Sequence, residues 1–130
     1  MNRTILAVGT TMGMLAIILG AFGAHGLEKL VDAEAVDTFE TGVRYQMYHA
    51  FLLLFLGIWS GLSPKPKKIV FVLVLLGVIL FSFSIYLLAL NSLTSFDFKI
   101  IGFLTPIGGV FLIIGWFYLG YSILTHKGLN

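Results

Sequence analysis

The ten residues TGVRYQMYHA, at positions 41–50, place an arginine, a glutamine, two tyrosines and a histidine directly before the apolar run 51–62. Together the two stretches indicate one helix whose first turns are polar and whose remaining turns are apolar. Polar groups at the edge of a bilayer are costly, so we expect them to face protein or water and to have partners. The other helices are therefore predicted to surround this polar segment.

The composition is typical of an integral membrane protein. Of its 130 residues, 58% are hydrophobic and 11% are charged, whereas a soluble domain carries about 25% charged residues. A core this small cannot hide so much apolar surface from water, so membrane lipids are expected partners. The net charge of +2 is modest and the lysines lie between apolar runs, which argues against nucleic acid as a partner. The absence of cysteine excludes disulfides and thiolate metal sites.

Apolar runs of bilayer length predict four transmembrane helices in one domain that covers residues 1–130. Their approximate bounds are 5–24, 43–62, 69–90 and 100–124. Between the first two, residues 27–40 place apolar side chains on one side and acidic side chains mostly elsewhere, which predicts a short amphipathic helix at the membrane surface. The predicted fold class is all-α, an integral membrane bundle.

The first run also has features of a signal peptide, since Arg3 precedes it and residues 21–24 offer small side chains near a cleavage point. Its length of about 20 residues favours an uncleaved anchor. Small residues at helical spacing leave one face of this helix almost without side chains: Gly9, Gly13, Ala16, Gly20 and Ala24. Such a face lets helix backbones approach closely, and we expect it to pack inside the chain's own bundle rather than form a dimer seam.

Prolines in the later part of the chain predict one helix end and one helix kink. The stretch SPKPKK, at 63–68, predicts a tight basic turn whose prolines end the second helix. Pro106 falls in the second turn of the predicted fourth helix, where a missing backbone donor is expected to cause a kink.

Basic residues predict the orientation in the membrane. One side holds Arg3, Lys65, Lys67, Lys68 and Lys127, and the other holds Lys29, Arg44 and Lys99. The positive-inside rule then predicts a multi-pass membrane protein with both termini in the cytoplasm. In that topology an aromatic belt is expected toward the inner interface, made of Trp59, Trp116, Tyr118 and Tyr121.

The same topology brings polar residues of several helices to the outer end of the bundle. A rise of about 1.5 Å per residue predicts that they share a layer about 10 Å deep. The predicted polar cluster consists of His25, Glu40, Arg44, Tyr45, Gln46, His49, Ser82, Tyr86 and Thr105. Within it, Glu40 precedes Arg44 by one turn, the favourable orientation for an ion pair.

Two classes of function fit such a cluster. In the first, the chain is a structural or assembly protein, able to form a homo-oligomer, and the cluster fixes how its helices pack. In the second, the cluster binds a small ligand, an ion or a lipid headgroup, with Arg44 as an anion clamp and His49 as a proton-responsive donor. Permeation through it would require several copies around an axis.

Metal binding and catalysis have weaker support. A metal site could use His25 and His49 with Glu28 or Glu40, but no metal-binding spacing is present. A hydrolase could pair Ser82 or Ser84 with His49, but no nucleophile elbow accompanies them. We therefore assign no catalytic residue, metal or cofactor.

Several motifs resemble a known family. GAFGAHGL at 20–27, and Phe39 with TGVRYQMYHA at 41–50, are similar to signatures of the YgdD/YwdK family of small bacterial inner-membrane proteins. LFS at 80–82 with YLLAL at 86–90, and TPIGG at 105–109, extend the resemblance over nearly the whole chain. Phe83 departs from it, since similar proteins tend to have glycine there. The resemblance implies a four-helix protein of the bacterial inner membrane. The family is catalogued as a domain of unknown function, DUF 423, and supplies no established activity.

Overall fold

Four helices make up most of the computed structural model, which describes residues 2–126 and contains no strand in that range. They are α1 (Asn2–His25), α2 (Ala33–Ile58), α3 (Pro64–Ala89) and α4 (Leu104–Thr125). The helices α1, α3 and α4 are long and apolar enough to cross a membrane. The predicted all-α class is therefore confirmed.

Successive helices run antiparallel. On α1, Gly9 lies against Ala50 of α2, and Gly23 lies against Phe39 nearer the start of α2. The other flank repeats this arrangement, because Gly108 of α4 lies against the backbone of α3 near Phe81. The helices α2 and α3 form the central pair, and α1 and α4 pack mainly on their outer sides.

The two ends of the molecule differ in charge. The end formed by the connections 26–32 and 90–103, together with the start of α2, carries all six acidic side chains: Glu28, Asp32, Glu34, Asp37, Glu40 and Asp97. We call it the acidic end. The opposite end, called the basic end, is formed by the start of α1, the connection 59–63 and the start of α3, and carries Arg3, Lys65, Lys67 and Lys68. Lys127, predicted on the same side, lies outside the described residues.

The small-residue face of α1 packs on α2, as expected. Ala16 is buried, and a methyl group added to Gly13 or Gly20 would meet side chains of α2. The exception is Ala24, which is exposed, while Gly23 takes its place against the Phe39 ring. The backbone of α1 can therefore approach α2 closely, because this face of α1 carries almost no side-chain atoms.

The surface helix predicted over 27–40 does not form as a separate element. Leu27–Lys29 is a single 3-10 turn, and α2 begins at Ala33 and continues unbroken to Ile58. The helix starts there because the Asp32 side chain accepts a hydrogen bond from the N–H of Ala35 at 2.9 Å, a capping interaction. The amphipathic pattern thus belongs to the first turns of α2.

The prolines have a different role from the predicted one. Pro64 is the first residue of α3, directly after Ser63, so α3 begins five residues before the predicted position 69. Proline suits this position because its fixed φ is helical and the first N–H groups of a helix have no acceptor within it. The kink predicted at Pro106 is not expected either. Because α4 begins at Leu104, Pro106 lies in the first turn of the helix, where its missing N–H breaks no helical hydrogen bond.

A π-helical turn interrupts α3 at Ile79–Phe83. It lies where α4 comes closest, because a side chain on Gly108 would overlap the backbone of Phe81. Phe83, which departs from the family pattern, points away from this contact and is exposed. The extra residue of the π turn changes the direction of the side chains that follow it, including Tyr86.

Two apolar clusters hold the helices together. The larger one lies along the middle and the basic end, and its fully buried members include Ile5, Leu53, Leu56, Val70 and Val74. The smaller one lies near the acidic end and consists of Leu27, Phe39, Tyr86 and Ala89. Most of the interior polar side chains lie between these clusters or beside them.

Candidate functional site

A chain of hydrogen bonds joins three helices through Gln46. The Gln46 side-chain amide donates to the main-chain oxygen of Met12 on α1 at 2.8 Å. Its own oxygen accepts a hydrogen bond from the hydroxyl of Tyr86 on α3 at 2.7 Å. Both Gln46 and Tyr86 are buried, so these bonds replace the water that an amide and a phenol would otherwise require.

A second interhelical bond comes from the π turn. Ser82, with no exposed surface, donates from its hydroxyl to the main-chain oxygen of Gly42 on α2 at 2.8 Å. A side chain at Gly42 would collide with the Tyr86 ring, since a Cβ there would lie 2.7 Å from it. The glycine in the TGVRYQMYHA stretch therefore allows α2 and α3 to approach closely.

Ser84 connects α3 to α4. Its hydroxyl lies 2.5 Å from the hydroxyl of Thr105, and 2.9 Å from the main-chain oxygen of Phe81, to which it donates. Because Ser84 donates to Phe81, the Thr105 hydroxyl is the donor in the shared bond. The two hydroxyls thus hold the first turn of α4 against α3 beside the π turn.

His49 connects α2 to α4. The indole N–H of Trp116 lies 3.1 Å from Nε2 of His49, and Nδ1 of His49 lies 2.6 Å from the main-chain oxygen of Tyr45. An indole nitrogen is only a donor, so Nε2 must accept, and the ring proton resides on Nδ1. His49 is therefore neutral in this arrangement and uses both ring nitrogens.

Four of the nine predicted residues do not enter these interhelical bonds. His25 ends α1 and is exposed, and Glu40 is partly buried at the start of α2. Arg44 is exposed and donates to the hydroxyl of Thr41 at 3.1 Å, rather than forming the predicted ion pair with Glu40. Tyr45 contributes its main-chain oxygen to His49, while its ring packs 4.9 Å from that of Phe81.

The other five are brought into contact with neighbouring helices: Gln46, His49, Ser82, Tyr86 and Thr105. Trp116 was predicted at the inner interface, but it is the thirteenth of the 22 residues of α4 and contacts His49 near the middle of the bundle.

The interior polar groups satisfy one another. Within residues 2–126, every buried side-chain nitrogen and oxygen has a hydrogen-bond partner. In the same part of the chain, no three His, Asp or Glu side chains come together in a way that could hold a metal ion. Ser82 and Ser84 donate to main-chain oxygens and His49 is bonded to Trp116 and Tyr45, so the serines and the histidine do not form a nucleophile–base pair.

Sequence reasoning missed two interior polar partners. Trp116 was assigned to an aromatic belt, and no local pattern marks it as the partner of His49. Lys67 was assigned to a turn, yet it is only 3% exposed and donates to the main-chain oxygen of Trp59 at 2.6 Å and to the Asn2 side chain at 3.2 Å. Helical spacing with the buried Val70 and Val74 could have indicated this burial, had the helix start been recognised at Pro64.

Comparison with known proteins identifies the family. The family described as "Protein of unknown function (DUF423)" matches residues 19–109. A UPF0382 membrane protein of Staphylococcus saprophyticus is 41% identical over 117 residues, which cover 90% of this chain and 93% of that protein. The UPF0382 membrane protein YwdK of Bacillus subtilis is 37% identical over 88% of this chain and 90% of its own length.

A bacterial protein of lower identity also matches over the full length. A UPF0382 membrane protein of Haemophilus influenzae is 33% identical over 99% of this chain and all of its own length. No solved structure matches the chain. The family match and the identity to these relatives agree with the three helices that are long and apolar enough to cross a bilayer. The chain therefore belongs to the DUF423 family of membrane proteins of unknown function.

Proposed function

We propose that this chain is a non-catalytic membrane protein that serves as a structural unit in assemblies of its own copies. The observation that carries this proposal is the pairing of the buried polar side chains within residues 2–126. A binding or catalytic group must keep a donor or acceptor for its ligand, whereas Gln46 and His49 direct theirs to neighbouring residues. Such bonds fix the positions of helices where lipid cannot supply hydrogen bonds.

In this proposal α2 is a fourth transmembrane helix. Its 26 residues correspond to a length of about 39 Å, enough to cross the hydrocarbon core. Gln46 and His49 reduce its apolar character, but both are buried against other helices and hydrogen-bonded within the protein. Antiparallel packing along α1, which is long and apolar enough to span, supports the same depth for α2.

We further propose that the basic end faces the cytoplasm. Among residues 2–126 this end holds four lysines and arginines and no acidic residue, while the acidic end holds three basic and six acidic side chains. The positive-inside rule favours that orientation and places both ends of the chain in the cytoplasm. The bacterial relatives support a bacterial cell membrane as the location.

The outer face of α4 is the proposed contact between copies. In the span Phe98–Thr125, which contains α4, only 17% of the most apolar 18 residues are buried within the chain, against 22% for the span that contains α1 and 50% for α3. Large exposed side chains cover the free surface: Val110, Ile113, Ile114, Phe117, Tyr121 and Leu124. Lipid chains cover such an apolar surface as well as another protein copy would, so the hydrophobic effect does not drive association here. Association must instead come from close packing of side chains between copies.

The proposal is tested by counting copies in liposomes. We expect photobleaching steps of a labelled chain to show more than one copy per complex at low protein density. Phe117→Ala should shift the distribution toward single copies, because Phe117 is 75% exposed on α4. Phe51→Ala is the matched control, since Phe51 is 64% exposed on α2, away from the proposed contact. Single copies at every density for the wild-type chain would contradict the proposal.

One observation favours the second class of function. A groove of 400 Å³ opens between α1 and α3, and Gln46 lies in it among apolar side chains that include Leu15, Leu19 and Leu75. This lining suits a lipid chain or another apolar ligand better than an ion, because ions require several oxygen or nitrogen ligands. A lipid that co-purifies with the wild-type chain but not with Leu75→Trp would favour this alternative.

A further inference from the structure

A small cavity at the basic end lies apart from the hydrogen bonds of Gln46, His49, Ser82 and Ser84. Its volume is 360 Å³, at the lower end of the range for ligand sites. The start of α1, the connection after α2 and the start of α3 surround it, and its lining residues are Asn2, Ser60, Leu62, Pro64 and Lys67. It therefore lies where three helices reach the proposed membrane surface.

The lysine in this cavity is unusually enclosed. Lys67 is only 3% exposed, although lysine is almost never fully buried without a partner of opposite charge. Its ammonium donates to the main-chain oxygen of Trp59 and to the side-chain oxygen of Asn2, and both acceptors are uncharged. An ammonium has three donors, so these two bonds leave one hydrogen and the full positive charge without compensation.

The sequence offers no acidic side chain to compensate that charge. Five of the six acidic residues lie between Glu28 and Glu40, and the sixth is Asp97. All of them belong to the acidic end, at the opposite pole of the antiparallel helices. Burying an uncompensated charge is costly, so an anion bound in this cavity would stabilise Lys67 in its buried position.

We propose that this cavity binds the phosphate of an anionic phospholipid headgroup. Lys67 supplies the buried charge, and the Ser60 hydroxyl and the side-chain N–H groups of Asn2 supply further donors on the cavity wall. Leu62 and Pro64 add apolar surface next to them, which suits the glycerol and the first methylenes of a lipid. The exposed Lys65 and Lys68 raise the local concentration of anionic lipid around the site.

Lipid is favoured over free phosphate because of where the cavity lies. The surrounding helices continue directly from it into apolar segments that face lipid, so a headgroup reaches Lys67 while its chains remain in the bilayer. A bound phosphate would accept charge-assisted hydrogen bonds from Lys67, the stronger class of such bonds. This site is independent of the proposed association through α4.

The test measures lipid retention and thermal stability of the full chain. The protein is reconstituted in nanodiscs of phosphatidylcholine with either phosphatidylglycerol or no anionic lipid, and bound lipid is counted by native mass spectrometry. The wild-type chain should retain phosphatidylglycerol preferentially and unfold at a higher temperature with it. Lys67→Gln, which keeps a donor but removes the charge, should lower the preference about tenfold or more.

Two variants separate this site from a structural role and from general charge attraction. Lys68→Gln removes the same charge from the exposed neighbouring residue, and its effect should stay within about fivefold, the attraction of one surface lysine. Asn2→Asp places a carboxylate where Lys67 already has a partner, so it should abolish the lipid preference while the chain stays folded without anionic lipid.

Three results would overturn the proposal. The first is an equal loss of preference in Lys67→Gln and Lys68→Gln, which would indicate surface attraction alone. The second is an Asn2→Asp chain that remains folded and keeps the wild-type preference. The third is full stabilisation of the wild-type chain by inorganic phosphate in phosphatidylcholine nanodiscs, which would assign the cavity to the free ion.

Discussion

The indole nitrogen of Trp116 lies 3.1 Å from Nε2 of His49 and joins the fourth helix to the second near the middle of the bundle. The bond determines which nitrogen of the imidazole carries the proton, since the indole can only donate. It also explains how a histidine is accommodated at this depth, because both of its ring nitrogens have partners within the protein.

Trp116→Phe is expected to destabilise the chain by about 1–3 kcal/mol, because it leaves Nε2 of His49 buried without a donor. The measurement is thermal unfolding in one detergent, followed by circular dichroism. Trp59→Phe is the control, as the ring of Trp59 stacks on Phe55 and its indole nitrogen makes no hydrogen bond within residues 2–126. Equal shifts in the two variants would show that the His49 bond contributes nothing of its own.

Tyr86→Phe is expected to cost about 0.5–2 kcal/mol, since it removes the hydroxyl that donates to Gln46 and keeps the ring. Tyr48→Phe makes the same chemical change at a residue that is 55% exposed on α2. Guanidinium or SDS unfolding of both variants measures the difference. A wild-type midpoint for Tyr86→Phe would mean that the buried bond is energetically neutral.

Gly108→Ala is expected to be among the most damaging single changes in the chain. An added methyl group would overlap the main chain of the π turn at Phe81, and backbone cannot move aside as a side chain can. Gly120→Ala, on the same helix, has open space around it and should raise stability slightly through better helix propensity. Expression level and thermal unfolding report both effects, and a stable Gly108→Ala chain would contradict the close approach.

Ser84 and Thr105 should be energetically coupled, because their hydroxyls lie 2.5 Å apart. A double-mutant cycle with Ser84→Ala and Thr105→Val isolates that coupling, which we expect at about 0.5–1.5 kcal/mol. Ser92→Ala in place of Ser84→Ala provides an exposed serine for comparison and should show additivity with Thr105→Val. Additive effects of Ser84→Ala and Thr105→Val would show that the contact carries no stabilisation.

Errors in the helix ends share one cause. Hydropathy predicted the second helix to begin at 43, whereas the Asp32 cap begins it at Ala33. Hydropathy also predicted the third helix from 69, whereas Pro64 begins it. Hydropathy reports where a helix enters hydrocarbon, and capping groups decide where its hydrogen bonds start, so the two boundaries differ wherever a helix extends into water.

The sequence by itself determined the helical class, the lipid environment and the small face of α1, because composition, run length and residue spacing are local quantities. It also indicated that Gln46, His49 and Tyr86 need partners, since polar groups in an apolar helix must be satisfied. Only the tertiary structure decided which partners they have. Trp116 meets His49, and Met12 supplies the main-chain oxygen for Gln46, because the packing register of the helices brings them together. That register depends on the π turn in α3 and on backbone contacts at Gly42 and Gly108, which no local pattern encodes.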